Sequence, residues 1–251
     1  MKNFKAVSGL IILFAFIFGT GVMAFGAEVM PTLGLNIGVT DNPEAVVGTL
    51  QIIFLLSIIT LIPTLLIMLT SFTRIIIVLH FTRSALGTQQ MPPNQVLLGL
   101  ALFLTLFLMG PALTTINETA IQPFSAGAIS QEEAIDNAMA PLRDFMMRQA
   151  SMRDVALFAN LSGEIYATPD DVPNSVLIPA FLLGEITKGF QIGFFIFLPF
   201  IVIDMIVAST LMAMGMMMLP PAMISLPFKI LIFILSDGWA LLLEGVIRGF
   251  R

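Results

Sequence analysis

Residues 212–221 read MAMGMMMLPP, and they lie between two very apolar segments, 194–211 and 222–235. Seven methionines (Met205, Met212, Met214, Met216, Met217, Met218 and Met223) fall within the nineteen residues 205–223. Methionine is unbranched, flexible and polarisable, so a cluster of them makes an apolar surface that re-packs around whatever touches it. Pro220 and Pro221 forbid a helix from running smoothly onward. The stretch therefore reads as a deformable apolar loop between two apolar arms, and the rest of the chain is organised to present it. Two plainer readings stand beside this one. The methionines can be ordinary membrane-core side chains, or a soft-metal site, since thioethers suit Cu(I) and Met212/Met216 and Met214/Met218 have M-x-x-x-M spacing.

Working outward, 57% of the 251 residues are hydrophobic and only 11% are charged, with a mean hydropathy of +0.99. Soluble domains carry about 25% charged residues, so the composition is that of an integral membrane protein. The absence of cysteine removes disulfides and thiolate metal or redox sites. A single histidine, His80, rules out a multi-histidine centre within one chain and a Ser-His-Asp hydrolase is improbable. A net charge of −5 argues against nucleic acid as a partner.

Residues 1–26 have the layout of a secretory signal: Lys2 and Lys5, an apolar run over 10–18, then small residues. Cleavage after Ala24 or after Gly26 fits, and an uncleaved first membrane helix is the alternative. Residues 27–44 would then be a short exported segment. The first helical hairpin is expected over 45–113. Its first span, 45–69, contains Pro63 and is long enough, because about 20 residues at roughly 1.5 Å each cross a core of about 30 Å. A loop over 70–94 with Arg74, His80 and Arg83 but no acid is expected on the cytoplasmic side by the positive-inside rule. A second span over 95–113 is expected to end at Gly110-Pro111.

Residues 114–175 are different in kind. Nine acids stand against three arginines over 114–173, which places the region outside the cytoplasm. Ser130 and Glu133 form an S-x-x-E capping box, and Ile135, Met139, Leu142, Phe145 and Met146 follow at helical spacing. That pattern predicts a helix over 131–149, a second over 152–161, and a turn at Ser162-Gly163, together a small cap with a solvated acidic face.

The second hairpin, 176–251, carries the methionine loop. Its first arm is too long for one span, and Pro179 and Pro199 predict breaks that must be buried by protein or line a cavity. Gly189/Gly193 and Gly245/Gly249 have G-x-x-x-G spacing, which allows close helix approach. Four ionisable residues stand inside these arms: Glu185, Lys188, Asp204 and Lys229. A lone carboxylate at mid-bilayer costs about 2.5–3.5 kcal/mol on insertion scales, so Asp204 needs a partner, a proton or water. Glu185 can pair with Lys188 along one helix, or Lys229 can neutralise Glu185 or Asp204 across a contact between chains; a proton relay is a third option. Positive-inside reasoning leaves the last two arms without a consistent orientation, which favours a hairpin packed in an assembly over two lipid spans.

Three blocks carry a resemblance: RSALGTQQMPPNQ at 83–95, PAFLLGEITKGFQIG at 179–193, and PFIVIDM at 199–205 running into MGMMMLPP at 214–221. They resemble the FliP family of flagellar export-gate proteins, with virulence-type secretion homologues, over about 45–250. Gly184 departs from the small hydroxyl residue expected there. The resemblance implies an all-α integral membrane protein of kinked apolar hairpins with a small helical periplasmic insertion, and no enzyme activity or cofactor. It implies copies assembling in a pentamer-like helical gate with FliQ and FliR, with FlhA and FlhB below, at the bacterial inner membrane in the flagellar basal body. In such a gate Met214, Met216, Met217 and Met218 would form a gasket around a path for unfolded flagellar substrates, with Pro220 and Pro221 ending the loop. The Glu185 and Lys229 positions would match an inter-subunit salt bridge, with Asp204 and Lys188 beside them. The reading in a different class is a methionine-rich Cu(I) membrane transporter.

Overall fold

In a computed structural model, the described residues are 67–250 except 89, 165, 167, 169, 170 and 217, together with 57, 60 and 64. They belong to one of the two units into which the chain divides, Ser57–Arg251. The expected signal, the exported segment and most of the first span with Pro63 lie outside the described residues.

The stretch expected as a charged cytoplasmic loop is instead helix α1, Phe72–Leu86. Five apolar residues in a row, 75–79, favour burial over solvation, and Ile75, Val78 and Leu79 are at most 1% exposed. Arg74 is buried with them. A buried, paired charge does not act as a flanking charge in water, so Arg74 drops out of the positive-inside argument. Gly87, at φ +75°, stops the helix in the left-handed conformation, and its N–H donates to the Ser84 carbonyl at 3.1 Å.

Helix α2, Asn94–Ile116, runs through Gly110-Pro111, where an end was expected. Proline deprives the carbonyl four residues back of its donor. For Pro111 that carbonyl belongs to Phe107; one turn further on, the hydroxyls of Thr114 and Thr115 donate to the Gly110 and Pro111 carbonyls at 3.0 and 3.2 Å. Packing of Met109, Ala112, Leu113 and Ile116 against the polar insertion holds the continuation in place. A π-helical turn, Asn117–Ile121, and a short helix α3, Gln122–Ser125, extend it, so 94–125 is one apolar rod of 32 residues.

The insertion forms where capping and periodicity place it. Helix α4 is Gln131–Gln149, with the Glu133 N–H donating to the Ser130 hydroxyl at 3.2 Å. Helix α5 is Met152–Ser162 and ends at left-handed Gly163. Leu142, Phe145 and Met146 face inward, whereas Ile135 overhangs into solvent. The pair is not a separate cap: its core is continuous with Met109 of α2 and with Val176, Leu177, Ala180 and Phe181 of the next helix.

That helix, α6, spans Asn174–Ala213. Forty residues make a rod of about 60 Å, and neither Pro179 nor Pro199 ends it. The first G-x-x-x-G spacing is used inside the chain. A Cβ on Gly189 would lie 3.0 Å from Ile77, and one on Gly193 would lie 2.4 Å from the Phe81 ring, so α1 lies directly on the bare backbone of α6. Gly245 meets nothing within 4 Å and shows no such use. Gly193→Ala is therefore expected to cost about 1–3 kcal/mol, the usual penalty of overpacking, read as a lower melting temperature in detergent. Adding Phe81→Leu is expected to recover part of the loss.

Helices α7, Pro221–Leu235, and α8, Gly238–Arg248, meet at 65°. Asp237 makes the corner at φ +50°, a conformation aspartate tolerates better than most residues. Gly238 is required there, because a Cβ would fall 2.3 Å from the Phe233 ring. Among the described residues α2 with its extension and α6 are each long and apolar enough to cross a membrane, and the bent α7–α8 pair makes a third if taken as one span.

Candidate functional site

The methionine loop begins earlier than its prolines. Gly215, at φ +75°, ends α6: the Met216 N–H donates to the Leu211 carbonyl and the Gly215 N–H to the Met212 carbonyl, both at 3.0 Å. This reciprocal pair is the Schellman stop, and it satisfies carbonyls that would otherwise be orphaned at an apolar helix end. Pro221 then opens α7 at its first position, where a missing N–H is harmless. Between the two ends the thioethers stand outward. Met218 is 98% exposed, Met214 63%, Met212 58% and Met216 40%; Met217 lies outside the described residues. The M-x-x-x-M spacings straddle the helix end, so neither Met212 and Met216 nor Met214 and Met218 stand one turn apart on a single helix.

At the base of this hairpin α7 closes onto α6. Lys229 donates to Asp204 at 2.6 Å and to the Ala85 carbonyl at 3.3 Å, while the Ser225 hydroxyl donates to Asp204 at 2.6 Å. Ala85 lies in the last turn of α1, so the ammonium also meets the negative end of a helix dipole. The partner Asp204 needed is thus on the same chain, one hairpin arm away.

A second cluster lies at the meeting of α1, α4 and α6. Arg74 donates from Nε to Glu185 Oε2 at 2.9 Å and from Nη2 to Glu185 Oε1, and both side chains are buried. Nη2 also reaches Gln149 Oε1 at 3.0 Å, and Nη1 reaches the Gly249 carbonyl at 2.9 Å. Lys188 donates to the Gln149 carbonyl at 2.5 Å and stands 3.9 Å from Glu185. The expected i,i+3 pair is therefore the looser contact, and Arg74 neutralises Glu185. Within one chain Glu185 and Lys229 belong to separate clusters.

Residues 55–246 match the FliP family, a range that contains the loop, both charge clusters and all three sequence blocks. The chain belongs to the FliP family. It is 49% identical over 222 residues to the flagellar biosynthetic protein FliP of Bacillus subtilis (strain 168), covering 86% of this chain and 98% of that protein. The FliP of Pectobacterium carotovorum subsp. carotovorum is 53% identical over 204 residues, 80% of this chain and 79% of that one. The FliP of Treponema pallidum (strain Nichols) is 44% identical over 227 residues, 89% and 84%. FliP membership gives the chain a role in flagellar protein export, and its apolar helices make it a membrane protein.

Sequence reasoning singled out Glu185, Lys188, Asp204 and Lys229 but missed Arg74, Ser225 and Gly215. For Arg74 a signal was available: it directly precedes an unbroken apolar run and can balance a buried glutamate elsewhere.

Proposed function

We propose that this chain builds, with copies of itself in a pentamer-like ring and with FliQ and FliR, the channel through which unfolded flagellar proteins leave the cell. FlhB and FlhA lie on its cytoplasmic side, the α4–α5 insertion lies on the periplasmic side of the inner membrane, and the methionine loops of the copies converge as a gasket. The observation that carries this reading is the loop itself: thioethers held outward by a glycine stop and a proline start, with no charged side chain over 205–223. A seal that passes any unfolded sequence needs low polarity and adaptability, which methionine supplies, and an apolar constriction also gates by dewetting. Further support comes from the arms. Only 11% of the most apolar window of α6 is buried within the chain, and Phe194, Phe195, Val202, Met205 and Ile206 stand bare, a surface available to neighbouring subunits.

Replacing Met216, Met217 and Met218 together with alanine is expected to make cells permeable to small ions while the assembled complex still forms. Unchanged ion permeability in cells that assemble the triple variant would overturn the gasket.

A further inference from the structure

Neutralising Glu185 takes only two of the five N–H donors of Arg74. The remaining contacts go to Gln149 of α4 and to the two residues that follow α8. Nη1 holds the Gly249 carbonyl at 2.9 Å, and the guanidinium carbon sits 3.7 Å over the Phe250 ring centroid. The same ring stacks on Phe145 of α4, with centroids 6.3 Å apart and planes at 23°. Gln149, at the end of α4, bonds Arg74 through Oε1 and donates from Nε2 to the Phe250 carbonyl at 3.0 Å. Two consecutive carbonyls and an aromatic ring are thus gripped from two helices. Within α8 Gly238 and Val246 are buried, and Val246, Leu242 and Leu243 pack on the α1–α2 core, so this polar clamp adds direction to an apolar contact that holds the helix after the 65° corner.

We propose that Arg74 is a positioning residue for α8: by docking Gly249 and Phe250 against the end of α4 it keeps α8 folded back from α7 at that corner. Arginine is needed because its planar fork serves carboxylate, amide and carbonyl at once and stacks on a ring, which a lysine ammonium does not do. The arm that follows the methionine loop is then tied at two places, by Lys229 at its base and by Phe250 at its end.

The test is amide hydrogen exchange on the full chain purified in detergent, comparing the parent with Arg74→Lys and with Phe250→Ala. Lysine keeps a positive charge beside Glu185 but loses the docking contacts. Phe250→Ala removes the ring and leaves the buried ion pair untouched, so it stays informative should the lysine variant fold poorly. Both are expected to speed exchange over 238–249 and 146–149 by roughly tenfold or more, from loss of a desolvated cation–π contact, with the α1–α6 seam around Gly189 and Gly193 unchanged. Parent-like exchange of α8 in Phe250→Ala would overturn the proposal. So would parent-like exchange of α8 in Arg74→Lys, which would reduce Arg74 to a counter-charge.

Discussion

Glu185→Ala is expected to cost the folded chain about 3–5 kcal/mol, because it strands the Arg74 guanidinium in a buried site without its counter-charge. Both side chains are almost fully excluded from solvent, at 2% and 0% exposure. Against a typical total stability of about 5–15 kcal/mol, the loss is enough to deplete the protein in cells and to lower its melting temperature sharply in detergent. Arg74→Ala is expected to behave alike, with the added loss of the contacts to Gln149 and Gly249. Replacing both partners with leucine should cost much less than either single change, since an apolar pair leaves no orphaned charge. A single Glu185→Ala variant that melts with the parent would show that the pair does not bear on stability.

Lys229→Glu is expected to be as damaging for a related reason. It places a second carboxylate beside Asp204, beneath the Ala85 carbonyl, where a cation now sits at 2.6 and 3.3 Å. Like charges at this depth repel strongly, and the base of the methionine hairpin opens. The compensating change distinguishes two arrangements. If the pair within the chain governs, adding Asp204→Lys restores part of the level of folded protein and Glu185→Lys does not. If the pair between copies implied by the family resemblance governs, Glu185→Lys is the change that restores the assembled complex. The level of folded monomer and the yield of complex, measured side by side for both double variants, decide between them.

Local signals were easy to read where the sequence alone satisfies the backbone. The Ser130/Glu133 cap and the glycine after Ser162 each need nothing from elsewhere in the chain, and α4 and α5 stand where those residues place them. Proline was harder. Pro111, Pro179 and Pro199 each remove one hydrogen bond, yet α2 and α6 pass through them, and the helix around Pro111 and Pro179 is held by packing in the core. A break could not be told from a tolerated proline without knowing what surrounds it.

The charges were harder still. Asp204 announces that it needs a partner, yet Lys229 and Ser225 converge on it, with Lys229 also held by the Ala85 carbonyl, only once three helices are assembled. Arg74 and Glu185 are separated by 111 residues, and a rule that counts positive charges in loops sends Arg74 to solvent. In the methionine stretch the prolines drew attention, whereas the helix stop is Gly215, the one residue there able to take the left-handed conformation without cost.

The central claim is that the methionine loops of several copies meet at one place. The chain has no cysteine, so Met218→Cys, at the most exposed of the described loop positions, introduces a single thiol. Mild oxidation of the assembled complex carrying this variant, followed by electrophoresis without reductant, tests the claim most directly. Disulfide-joined copies, in high yield and only in the assembled state, are the predicted result. A thiol that never joins its neighbours in the assembled complex and reacts instead with a lipid-dissolved maleimide would place the loop against the bilayer and contradict the account.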